Sequence, residues 1–189
     1  MKILCFGDSN TYGYDPRSCF GGRYDAENRW VDLLARKSGW EVVNDGANGR
    51  EIPRRESEFD RLNTMISRCK PDLLLIMLGG NDLLQGASAE ETTARMESFL
   101  TRISMPPGRI VLIVPPAMQP GAWITEARLL GDSAALAGAY RALAEKHGTA
   151  FLDAAAWGVG LTFDGVHFTE EGHRTFAERL CAALKDNGR

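Results

Sequence analysis

The chain has 189 residues, 44% of them apolar, and a formal charge of −3 with acidic and basic side chains interspersed. That length suits a single domain over residues 1–189 with a full core, and the lack of a basic stripe argues against a nucleic-acid partner. The four apolar residues after Lys2 are too few for a secretory signal core, and no run reaches the ~18 apolar residues of a membrane span, so a cytoplasmic protein is expected.

Lys2 to Phe6 is a continuous apolar run, the pattern of a strand covered on both faces, and it stops at Gly7-Asp8-Ser9-Asn10-Thr11-Tyr12-Gly13. A loop with Gly13, Pro16, Gly21 and Gly22 follows. From Arg29 to Ser38, Trp30, Leu33 and Leu34 fall at helical spacing and Gly39 supplies the stop. Trp40 to Asn44 reads as a second strand ending in Asp45-Gly46-Ala47-Asn48-Gly49, whose two glycines suggest tight turns or close backbone approach. Phe59, Leu62, Met65, Ile66 and Cys69 repeat at three and four, which predicts a helix between Pro53 and Pro71. Leu73 to Leu78 is the most apolar run, hence the central strand, and it breaks at Gly79-Gly80-Asn81-Asp82.

Ser88 with Glu91 three residues on predicts a capped helix bearing Met96, Phe99, Leu100 and Ile103, closed by Pro106-Pro107. Ile110 to Val114 is a fourth strand cut off by Pro115-Pro116, and a long loop carries Pro120, Trp123 and Ile124. Leu136, Tyr140 and Leu143 mark a fourth helix that finishes near His147-Gly148. Phe151-Leu152 centre a short fifth strand. Beyond Asp164-Gly165-Val166-His167, Thr169 with Glu170 and Glu171 starts a last helix with Phe176, Leu180 and Leu184 on its apolar face. Five strands alternating with helices predict an α/β fold: a three-layer α/β/α sandwich with a five-stranded parallel sheet, doubly wound.

In such a sheet, ligands collect at the carboxyl ends of the strands. Ser9 follows strand one, Gly49 strand two, Asn81 strand three and His167 strand five, so all four share one edge. A serine is a weak nucleophile that needs a base with an orienting partner, and Asp164-x-x-His167 offers both. Singly, each is ordinary: Ser9 alone reads as a helix cap, and Asp-x-x-His as a local hydrogen bond. Asp8 and Asp82 are expected to bond nearby backbone N–H groups. His173, six residues past His167 on a predicted helix, lies nearly opposite it, which argues against a two-histidine metal site. His147 reads as a solvated cation at a helix end. Cys5, Cys19, Cys69 and Cys181 form no C-x-x-C pair and read as buried free thiols. Trp123 and Ile124 read equally as loop anchors and as pocket lining.

Two rivals belong to other classes. A flavodoxin-like phosphate- or nucleotide-binding module would use Ser9-Asn10-Thr11 for phosphate, but leaves Gly79-Gly80-Asn81-Asp82 and Asp164-x-x-His167 unexplained. A phosphoacceptor domain would need a lysine ending strand five, and none lies between Thr149 and His167. The dinucleotide fingerprint G-x-G-x-x-G is absent after strand one.

In four ordered blocks over nearly the whole chain, from Gly7-Asp8-Ser9 to Asp164-x-x-His167, the sequence resembles the SGNH or GDSL-type esterases and lipases. Gly7 to Tyr14 and Arg29-Trp30 look most like the arylesterase and acyltransferase branch. The resemblance implies the flavodoxin-like SGNH hydrolase fold, with Ser9 as nucleophile, His167 as base and Asp164 orienting it. It also implies an oxyanion hole from Ser9, Gly49 and Asn81, with Gly46 as the alternative to Gly49. One departure stands out: the usual leucine after the serine is Asn10, which bears on the polarity of the pocket wall. A small-molecule ester is the implied partner, short acyl groups being hydrolysed or transferred without metal or cofactor. Members of this branch assemble, so homo-oligomerisation is left open, with the loop around Arg17 to Tyr24 or Trp123 as interface or pocket.

Overall fold

Runs of Leu, Ile and Val too apolar to show a face to water become the strands of one parallel sheet. The computed structural model describes residues 1–18 and 22–186; Cys19 and Gly21 of the sequence reading lie outside the described residues. Strands β1 (Lys2–Gly7), β2 (Glu41–Gly46), β3 (Leu73–Met77), β4 (Ile110–Val114) and β5 (Ala150–Asp153) lie in the order β2-β1-β3-β4-β5. Every pairing is parallel. β3 and β4 are buried at each position, as strands covered on both faces must be, whereas the edge strands β2 and β5 are mostly half-buried.

The helices are α1 (Ser9–Tyr12), α2 (Trp30–Ser38), α3 (Glu56–Cys69), α4 (Gly80–Leu84), α5 (Ala89–Leu100), α6 (Ala127–His147) and α7 (Glu170–Asp186). Alternate strand residues point to opposite faces. Leu4, Phe6, Leu74, Ile76 and Leu112 therefore pack on one side with Phe59, Phe99, Leu136 and Tyr140 from α3, α5 and α6. Ile3, Cys5, Leu75, Val111 and Ile113 pack on the other with Trp30 and Leu34 of α2 and Phe176 and Leu180 of α7. This is the three-layer α/β/α sandwich that the alternation of elements predicts.

The expected caps form. Ser88 and Glu91 make the reciprocal pair at the start of α5, and Thr169 Oγ1 accepts from the Gly172 N–H at 2.9 Å at the start of α7. α3 stops one residue before Pro71 would force it to, because Lys70 turns into the left-handed region at φ 48°. Cys5 and Cys181 are buried free thiols, while Cys69 is half-buried against Met65.

The chain leaves β1 outward to β2, then crosses back to β3 on the other side. The sheet order therefore reverses between β1 and β3, and Gly7 and Met77 stand side by side at that switch point. A crevice opens at such a reversal, outside the carboxyl ends of the strands.

Candidate active site

The turn after β1 is built by its own side chains. Asp8 caps α1, its Oδ1 accepting from the Asn10 N–H at 2.9 Å, so the cap is Asp8 and Ser9, which alone reads as a cap, is the first residue of a one-turn helix. The end of β2 packs directly under that turn. A side chain at Gly46 would put its Cβ 2.1 Å from the Tyr12 nitrogen, so only glycine admits the approach. Arg50, which the sequence gives no reason to single out, pins both strand ends. Its guanidinium donates to the Gly7 carbonyl at 2.9 Å and to the Asp45 carbonyl, and lies over the Phe6 ring at 4.3 Å.

His167 reaches Ser9 from 158 residues away: its Nε2 is 3.0 Å from Ser9 Oγ. Its Nδ1 is 2.6 Å from Asp164 Oδ2. The other carboxylate oxygen, Oδ1, accepts from Thr162 Oγ1 at 2.8 Å, the Val166 N–H at 2.9 Å and the His167 N–H at 3.0 Å. Burial alone would push the Asp164 carboxyl up, but the bonds from His167, Val166 and Thr162 outweigh it and hold the group well below the usual carboxylate range. The three polar side chains thus form one chain of hydrogen bonds. Tyr14 and Trp123 stand on His167, ring centroids 4.8 and 5.1 Å away.

The loop bearing Asp164 is fixed by backbone. Gln119 donates to the Gly165 carbonyl at 3.0 Å, Ala122 to Phe163 at 2.9 Å and Trp123 to Asp164 at 3.2 Å. Gly165 sits at φ 81°, and a Cβ there would fall 2.1 Å from the Gln119 oxygen. On the other side Asn10 holds the same loop: its Nδ2 donates to the Val166 carbonyl at 3.1 Å and its Oδ1 accepts from the Phe168 N–H at 2.9 Å. The polar wall raised by the sequence departure at Asn10 is therefore a wall whose amide is already paired.

Of the remaining expected site residues, Asn81 lies in α4, its Nδ2 donating to the Arg50 carbonyl at 3.0 Å. An amide nitrogen has a second N–H, and Asn81 also lines the pocket at Ser9. Gly49 follows β2 at φ 70°. The Gly46 N–H is already given to Asn44 Oδ1 at 2.9 Å. The pocket at Ser9 is small, about 20 Å³, and is bounded by Asp8, Asn81, Leu83, Pro116, Met118 and Leu136, among others. Burial raises the Asp8 carboxyl to about 6, the Asn10 N–H bond opposing. A phosphate bound at this turn would meet that carboxylate.

Several residues take the structural roles expected of them, and some differ. Asp82 is fully buried, accepting from the Ile52 N–H and Arg95. His173 is fully buried beside Tyr24 and Phe168, its Nδ1 accepting from the Trp30 N–H at 3.4 Å. Among the described residues no three His, Cys, Asp or Glu side chains converge as a metal site, and no helix is long and apolar enough to cross a membrane. His147, in the last turn of α6, is half-buried and paired with Glu97 at 3.3 Å, where the sequence suggests a solvated cation. Ile124 anchors its loop in the core, whereas Trp123 is 51% exposed and neither lines the Ser9 pocket.

The GDSL-like Lipase/Acylhydrolase family model matches residues 5–175. Among solved structures the chain is similar to the native M. smegmatis aryl esterase, at 25% identity and TM-score 0.83 over 98% of each chain. It is also similar to a carbohydrate acetylesterase family member from Sinorhizobium meliloti, at 27% identity and TM-score 0.80 over 97% of each chain. A comparison with curated proteins found no match. With the parallel sheet, the four polar turns at its carboxyl edge and a family match over most of its length, the chain belongs to the GDSL-like lipase/acylhydrolase family and is a carboxylic ester hydrolase.

Proposed function

We propose that the enzyme cleaves short-chain carboxylic esters through an acyl-enzyme on Ser9. The observation that carries this reading is the unbroken line from Ser9 Oγ to His167 Nε2 and from His167 Nδ1 to Asp164. His167 Nε2 takes the hydroxyl proton as Ser9 Oγ bonds to the carbonyl carbon. Asp164 fixes the imidazole with Nδ1 protonated and balances the imidazolium. As the tetrahedral adduct collapses, the carbon–oxygen bond to the alcohol breaks and the proton on Nε2 goes to the leaving oxygen. Water, or a second alcohol in acyl transfer, then attacks the acyl-serine with His167 as base again.

The oxyanion is assigned to the Ser9 N–H, the Gly49 N–H and the second N–H of Asn81 Nδ2, donors worth ~3 to 4 kcal/mol each in comparable sites. Gly49 is preferred to Gly46 because the Gly46 N–H is already spent on Asn44. The small pocket beside Ser9, walled by Leu83, Pro116, Met118 and Leu136, suits an acetyl or similarly short acyl chain. The alcohol would then leave past His167, along the exposed side marked by Trp123 and Phe163.

The test is intact-protein mass spectrometry after a fluorophosphonate probe, with a p-nitrophenyl ester panel of rising acyl length. One adduct is expected on the wild type and none on Ser9→Ala, with kcat/KM falling beyond the shortest esters. An adduct that survives in Ser9→Ala would defeat the nucleophile, and kcat/KM rising toward long chains would defeat the short pocket.

A further inference from the structure

Ser9 and His167 come from turns far apart in the chain, and Asp164 cannot set the distance between them. It lies in the same loop as His167, so it orients the imidazole but moves with it. Asn10 is different. It belongs to the Ser9 turn, and its carboxamide grips the residues on both sides of His167, the Val166 carbonyl at 3.1 Å and the Phe168 N–H at 2.9 Å. The orientation of the amide follows from those partners, since a flip would face donor to donor and acceptor to acceptor. The residue itself is held: its N–H goes to Asp8 Oδ1 at 2.9 Å and its carbonyl accepts Trp30 Nε1–H at 2.9 Å. It is 7% exposed, so a leucine there would fill the space but leave the Val166 and Phe168 groups without these partners.

We infer that Asn10 is a positioning residue that fixes His167 Nε2 against Ser9 Oγ by tying the loop of the base to the turn of the nucleophile. The inference rests on the proposed roles of Ser9 and His167. A hydrogen bond between those two is weak against loop movement, whereas a planar group bonded at two points resists both sliding and twisting. Small misplacement of reacting groups is costly, ~10²-fold for about 1 Å. Loss of the grip should therefore appear in the chemical step and leave substrate binding nearly unchanged.

The test uses the whole chain as wild type, Asn10→Leu and Asn10→Asp, with p-nitrophenyl acetate turnover, Ser9 labelling rate by a fluorophosphonate and thermal midpoint on each preparation. For Asn10→Leu, kcat and labelling rate per folded molecule are expected to fall together by ~10 to 100-fold, with KM within about twofold. The Asn10→Asp side chain can make both bonds when its carboxyl is neutral, one oxygen accepting and the O–H donating, but its ionised form sets an oxygen against the Val166 carbonyl. Its kcat relative to wild type should therefore decline as pH rises. Asp8 and His167 are the titratable neighbours here; the introduced carboxylate would raise the pKa of His167, which alone would make the ratio climb with pH, so a decline reports the lost bond to the Val166 carbonyl. Asn10→Leu with wild-type kcat and labelling would overturn the inference; if that variant does not fold, a pH-independent Asn10→Asp ratio would do so. A wild type that neither hydrolyses esters nor labels at Ser9 would instead remove the proposed function, and the inference with it.

Discussion

Two buried titratable groups beside the site pull stability in opposite directions as pH changes. His173 has its pKa lowered from 6.5 to about 3 by burial, with His167 and Arg29 adding repulsion. Below 6.5 the unfolded chain takes up a proton that native His173 refuses, so its contribution is complete above 6.5 and is lost as pH falls toward about 3. Asp8 does the reverse. Burial raises it from 3.8 to about 6, so the native state keeps a proton that the unfolded chain has released, and stability falls as pH rises through that window. Each slope approaches about 1.4 kcal/mol per pH unit where one state is protonated and the other is not. Between about pH 4 and 6 the two slopes nearly cancel each other, so each shows only when the other group is removed. His173→Gln keeps an acceptor for the Trp30 N–H without titrating, and should lose about 1 kcal/mol per unit as pH rises there. Asp8→Asn keeps the cap on Asn10 and should gain at a similar rate. Urea unfolding at half-unit steps reads the slopes directly, and the other carboxylates, being common to all three proteins, drop out of the comparison. Three parallel curves would refute both buried groups as the source.

Three further outcomes follow from the geometry. Asn81→Ala should lower kcat by ~10² to 10³ with KM little changed if its amide meets the oxyanion; a normal kcat per folded molecule would reduce Asn81 to its bond with Arg50. Asp164→Asn should cost ~10⁴ in kcat, through the wrong imidazole tautomer and the lost charge balance, and near-normal turnover would remove it from the mechanism. Gly46→Ala forces a methyl to within 2.1 Å of the Tyr12 nitrogen, so unfolding free energy should drop by ~1 to 3 kcal/mol, and wild-type stability would disprove the close approach of β2 to the serine turn.

The fold was legible where burial writes directly into composition. Ile110–Val114 and Leu73–Met77 are apolar without interruption because both of their faces are covered. The start of α6 was not legible: from Ala127 to Ala135 the helix is largely alanine, glycine and serine, with Leu129 and Leu130 alone to suggest a face, so the readable stripe begins at Leu136. α1 and α4, of four and five residues, are too short to show any period. At the site, the parallel sheet was enough to put Ser9, Gly49, Asn81 and His167 on one edge. What lay beyond reach were contacts between segments that approach only in the folded chain, such as Asn10 on Val166 and Phe168, or Arg50 on Gly7. Thr162 on Asp164 was closer to hand, two residues apart, yet nothing in a lone threonine signals that its hydroxyl will face a carboxylate.

The sheet by itself would leave the base far from the nucleophile. β5, which precedes His167, is separated from β1 by β3 and β4, three spacings of ~4.8 Å, or ~14 Å across the sheet. The segment from Ala154 onward must therefore return over the ends of β4 and β3 before α7 packs against α2 on the β1 side. A loop crossing that span gains no ladder from the strands beneath it and takes its bonds partly from itself, as in the Thr162 N–H to the His167 carbonyl at 2.7 Å, and partly from other loops. Gln119, Ala122 and Trp123 supply three backbone N–H groups from the segment after β4, the strand being crossed, and Asn10 supplies the fourth and fifth bonds at the β1 end. The close packing at Gly165 belongs to the same contact, since a Cβ there would fall 2.1 Å from the Gln119 oxygen. β5 ends at Asp153, and the long loop beyond it carries an imidazole back along the edge to within 3.0 Å of Ser9 Oγ.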